Sequence, residues 1–81
     1  MNEVEEYKLR LKKAFEGRIA GIRAFIKREC EECDIEYTDD FDVLLQRMAG
    51  HVSDEFFYAR AEDKVAIEML EYAIGIVEVT I

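Results

Sequence analysis

Residues 4–33 read VEEYKLRLKKAFEGRIAGIRAFIKRECEEC, and the spacing of their apolar positions decides the fold. Val4, Tyr7, Leu11, Phe15, Ile19, Ile22, Ile26, Cys30 and Cys33 recur at steps of three or four residues, the period of an α-helix. One helix is expected from about Glu3 to Cys33, roughly 45 Å long at ~1.5 Å per residue. Asn2 followed by Glu5 resembles a capping box at its start. Beyond it, residues 34–40 are acidic and poor in helix signals and read as a loop. Thr38, Asp39 or Asp40 would cap the next helix.

Phe41, Leu44, Leu45, Met48, Val52, Phe56 and Ala59 repeat at helical spacing, so a second helix is expected to run to about Arg60. Asp63 would then cap a third, with Ala66, Met69, Leu70, Ala73, Ile74 and Val77 facing inward. The β-branched tail 74–81 is compatible with a strand, but the period before it is helical. The chain has no Pro and only four Gly, which leaves few breaks. These elements predict an all-α fold: an antiparallel three-helix bundle with a long first helix, in one domain over residues 1–81. The first helix outruns its partners by about ten residues on this reading, leaving Val4, Tyr7 and Leu11 as an uncovered apolar stripe.

The chain of 81 residues carries 11 Lys and Arg against 19 Asp and Glu, a net charge of −8. Hydrophobic residues make up 51%, too many for an acidic disordered tail. No apolar run is long enough to span a bilayer, and the acidic start lacks the apolar core of a secretory signal. Two Cys and no export signal point to a reducing, cytoplasmic setting. The acid excess disfavours nucleic acid as a partner. The charge is uneven, however. From Lys8 to Arg28 there are eight bases against Glu16 alone, +7; the rest of the chain carries −15. Lys12, Arg23 and Lys27 share one flank of the apolar seam and are the residues of choice for a nucleic-acid-associated alternative. Snorkelling around a buried seam explains them equally.

The segment 48–79 reads MAGHVSDEFFYARAEDKVAIEMLEYAIGIVEV. Its Ser53-Asp54 pair, Phe56 or Phe57, Glu62-Asp63, Val65, Ala66 and the block Glu71-Tyr72-Ala73 followed by Gly75 resemble the archaeal family known as domain of unknown function 357. That resemblance implies a small three-helix bundle from an archaeon. The family has no established activity, so it lends no catalytic residue and no cofactor.

No catalytic constellation stands out, and neither an enzyme activity nor a cofactor is expected. Cys30 and Cys33 form a single C-x-x-C with no second pair for zinc. They sit at a helix C-terminus among Glu29, Glu31, Glu32 and Asp34, which disfavours the thiolate, so core packing is the expected role. If the chain turns near Ala61, His51, Asp54 and Glu71 meet between the second and third helices as a polar cluster able to hold a divalent cation. A solvated acidic face is the plainer reading. Gly17, Gly21 and Ala24 make the first helix slim on the face away from the main stripe. Two interior Gly cost roughly 1 kcal/mol each, which close approach of another helix would offset. Gly75 is expected to serve the same purpose inside the bundle, with Tyr72 packed beside it. The functional expectation is therefore a non-catalytic interaction module. It would associate with itself as a homodimer, or with another helical protein, through Val4, Tyr7, Leu11, Gly17, Gly21 and Ala24.

Overall fold

The computed structural model describes residues 2–80, Thr80 by its backbone only. It contains three helices: α1 (Glu3–Glu32), α2 (Phe41–Met48) and α3 (Asp54–Thr80). The all-α, three-helix architecture with a long first helix is as the apolar period predicts. Helix α1 starts where Asn2 accepts the Glu5 backbone N–H at 2.8 Å. It ends in a Schellman turn. The Ile35 N–H donates to the Cys30 carbonyl at 2.9 Å and the Asp34 N–H to that of Glu31 at 3.4 Å. Asp34 takes the left-handed position at φ 60°, a conformation better suited to glycine.

The second and third helices divide differently from the expectation. Helix α2 is eight residues long, not twenty, and α3 begins at Asp54 rather than at Asp63. Met48 is the last helical residue of α2. Gly50 at φ 80° turns the chain in the left-handed region, and the His51 N–H donates to the Met48 carbonyl at 2.9 Å. Ser53 then opens α3, its Oγ accepting the Phe56 N–H at 3.2 Å, with Asp54 and Glu55 in the acidic first turn. Helix α3 passes through 61–63 without a break. The tail to Thr80 is helical, not a strand, and Ile81 lies outside the described residues. Asp40 is the cap of α2, accepting the Asp42 and Val43 N–H groups.

Helices α1 and α3 run antiparallel along most of their length. Lys8 Nζ donates to the Glu78 carbonyl at 2.9 Å at one end, and Arg60 stacks on Phe25 toward the other. Because α3 has 27 residues against 30 in α1, only the residues before Lys8 extend past it. The ten-residue overhang expected from the sequence is therefore much shorter. Helix α2 packs at the loop end. There Ile26, Cys30, Phe41, Leu44, Met48 and Ile67 form the buried core, with Ile19, Ile22, Ile35, Tyr37, Val52, Phe56 and Phe57 around it. Cys30 takes its core place. Cys33 is exposed, because the chain leaves the helix there.

The molecule is a rod of 50 × 18 × 18 Å. Its radius of gyration of 15.4 Å exceeds the ~11.7 Å typical of a compact chain of this length. Replacing Asp34 with Gly removes left-handed strain and a negative charge at a helix C-terminus. The substitution is expected to raise stability by about 1 kcal/mol, read as a higher urea midpoint at unchanged slope.

Candidate functional site: an open face on the helix pair

Helices α1 and α3 form a pair with two unlike sides. One side is polar. Lys12 Nζ lies 2.8 Å from Glu78 Oε1, and Arg23 reaches Asp39 and Glu71 at 3.6 and 3.7 Å. Arg23 also donates to the Asp39 carbonyl at 3.1 Å and stacks on Phe41. Lys64 Nζ holds Asp42 at 2.6 Å, tying α3 to the start of α2. The Glu78 carboxylate beside it raises the Lys12 pKa, and Lys12 in turn lowers that of Glu78.

The other side is apolar. Arg18, Gly21, Ile22, Phe25, Arg60 and Asp63 line one shallow groove between α1 and α3. Arg18, Ala66, Met69 and Leu70 line the next. Residues seven apart lie nearly in line on a helix, so these two grooves define continuous stripes. On α1 the stripe is Val4, Tyr7, Leu11, Ala14, Arg18, Gly21 and Phe25. On α3 it is Ala59, Glu62, Ala66, Met69, Ala73 and Ile76. Both follow the alternating three-and-four spacing of a coiled-coil seam. Each stripe is apolar or small except for one charged residue, Arg18 on α1 and Glu62 on α3. A further line, Tyr58, Val65, Tyr72 and Val79, runs along the outer edge of α3. Exposure is high: Met69 66%, Tyr72 73%, Val79 87%.

The inward positions expected of α3 hold for Leu70 and Val77, which are buried, and for Ile74, which is half-buried; Ala66 and Ala73 are half-buried at the border of the open face. Met69, expected to pack inward, and Tyr72, expected to pack beside Gly75, instead face solvent. Gly75 is not a close-approach site, since an added Cβ would meet nothing within 4 Å. The same holds for Gly17 and Gly21, which with Ala24 are exposed on α1. Near the loop end of the apolar side Arg60 is sandwiched between Phe25 and Phe56, its centre 5.1 and 4.9 Å from the two rings. Its Nε pairs with Asp63 Oδ2 at 2.9 Å; both atoms are buried and have no other partner. This sandwich was not read from the sequence. The Arg60-x-x-Asp63 spacing was its one available signal.

The polar cluster expected from His51, Asp54 and Glu71 does not form. Asp54 and Glu71 lie on the same uninterrupted helix, seventeen residues and thus about 25 Å apart. His51 lines a depression with Cys33, Asp34, Ile35, Glu36 and Arg47, while Glu71 belongs to the Arg23 ion pair. The expectation required a turn at Ala61 that the chain does not make. No group of three or more potential metal ligands occurs among the described residues. Of the basic flank, Lys12 and Arg23 are held by acids of the same chain, and Lys27 is exposed. No helix among the described residues is long and apolar enough to cross a membrane. No family model matches the chain, and no curated protein or solved structure matches it.

Burial pushes the Cys30 thiol up, reinforced by Cys33 and Glu29 and opposed by Arg60. Titration with a chromogenic disulfide at neutral pH is expected to resolve one fast thiol, Cys33, and one that reacts only on unfolding. The lowered Glu78 pKa means that its ion pair contributes stability above the ordinary carboxylate value, about 4.3. The contribution fades as pH falls through the lower folded value. Glu78→Gln should therefore lower the melting temperature at pH 7, and the difference from the parent should close by about pH 3, read by circular dichroism.

Proposed function

We propose that this chain is a non-catalytic helical interaction module, and that the open face of the α1–α3 pair is its docking surface. The observation that carries the reading is the exposure of heptad-spaced apolar stripes on both helices of one side. Monomeric proteins rarely expose a contiguous apolar patch of more than a few hundred Å². This face runs much of the length of a rod 50 Å long. The accessible surface of 5802 Å² exceeds by several hundred Å² the ~5050 Å² expected of a compact monomer of 9.5 kDa.

The reading agrees with the sequence expectation of an interaction face holding Val4, Tyr7, Leu11 and Gly21, and extends it to α3. Gly17 and Ala24 fall behind that face. Arg23 and Lys12, which a nucleic-acid reading would use, are already occupied by acids of the chain.

Light scattering coupled to size exclusion is the direct test. Association through the face predicts a mass above 9.5 kDa, and Met69→Glu is expected to return it to the monomer without loss of helix content. A monomer at high micromolar concentration, for the parent chain, overturns self-association.

A further inference from the structure

We infer that the turn between α2 and α3 is a hinge: in a second state of the chain the two helices join as one continuous helix, and α3 is exchanged with that of another copy. The inference does not rest on the docking face, which the exchange leaves untouched.

The apolar phase is the first ground. At ~100° per residue, Phe41, Leu44 and Met48 of α2, Val52 in the turn, and Phe56, Ile67, Leu70 and Val77 of α3 all fall within one arc of about 140°. Asp42, Gln46, Arg47, Gly50, Ser53 and Asp54 fall outside that arc, and all are exposed. Two helices folded back on each other have no need to keep a common phase through the turn that joins them. Here the phase survives the turn, so the straightened segment is amphipathic from Phe41 to Val77.

The contacts are the second ground. In the closed chain α3 holds α2 through Lys64 and Asp42, 2.6 Å apart, and through Ile67 in the core with Leu44 and Met48. It holds α1 through Arg60 stacked on Phe25 and Glu78 paired with Lys12. Exchanging α3 between two copies remakes each contact once per copy. The loop between α1 and α2 stays as it is, and the closed and exchanged states differ only over residues 49–53.

That short segment is set by local backbone preference. Ala49 is extended at ψ 123°, Gly50 is left-handed at φ 80°, and Ser53 caps α3. The chain has no proline to hold the break. A side chain at position 50 has room, since an added Cβ meets nothing within 4 Å, but the positive φ opposes it. Gly50 therefore balances the two states: the turn favours it and a continuous helix disfavours it.

Gly50→Ala tilts both preferences toward the straight helix. Each hinge shifts by about tenfold and a dimer contains two, so the dimer Kd read by light scattering is expected to fall about 100-fold. Asp54→Pro works the other way, because proline is tolerated in the first turn of α3 but not inside a continuous helix. Exchange itself is read with a carbodiimide, which joins Lys64 to Asp42 across their ion pair. The parent chain and Gly50→Ala, each as an equal mixture of light and heavy-isotope copies, are unfolded, refolded at millimolar concentration and cross-linked. Linked peptides carrying both isotopes are expected in both samples, more of them in Gly50→Ala, and Asp54→Pro is expected to abolish them. Linked peptides of a single isotope in the parent and the variant overturn the hinge. A doubled mass with single-isotope peptides also overturns it, while leaving association through the open face. Because the parent chain is one of the two samples, a variant that fails to fold leaves the test intact.

Discussion

The brevity of α2 governs the rest of the molecule. Two helices of 30 and 27 residues need a third layer along their whole length to bury the side of each that the other does not reach. A helix of eight residues covers about 12 Å of a 50 Å rod. The buried residues accordingly gather at one end, around Ile26, Leu44 and Met48. Away from that end Leu11 and Phe15 are only half-buried, and Val4 and Tyr7 are exposed although they continue the same periodic run. Since α2 also packs on the polar side, beside Arg23 and Lys64, it leaves the opposite face of the pair open.

The distribution of charge follows the same geometry. On the side where α2 begins, acids and bases of the chain are matched: Lys64 with Asp42, Arg23 with Asp39 and Glu71, Lys12 with Glu78. Exposed pairs of this kind contribute little each, but they keep that side polar. On the opposite side the stripes carry one charged residue per helix. The chain thus has the cross-section of a half-bundle, polar on one side and, beyond the Arg60 sandwich at the loop end, apolar on the other.

Much of this was legible in the sequence, because helical periodicity reports which residues share a face. It located α1 to within a residue, named Asp40 among the caps of α2, and singled out Val4, Tyr7 and Leu11. Periodicity does not report where one helix stops and the next begins. Met48, Val52 and Phe56 keep a spacing of four residues across a real break, so the pattern ran straight through Gly50. The punctuation was local: a left-handed glycine followed by Ser53, Asp54 and Glu55. Placing that break at Ala61 brings His51, Asp54 and Glu71 together and turns Met69 inward. Nor can a periodic stripe reveal whether anything lies opposite it. That depends on the side of the pair against which α2 packs, which periodicity does not report.

The gradient of burial along α1 also divides one continuous helix between two thermodynamic regimes. Backbone amides near Ile26 and Cys30 are locked to the α2 core, so their exchange with solvent deuterium requires global unfolding. Those near Val4 and Tyr7 are held by helical hydrogen bonds with little tertiary support and open by local fraying. A single covalent rod is therefore anchored cooperatively at one end and only weakly ordered at the other, and a bound partner lends protection chiefly to the end that lacks it.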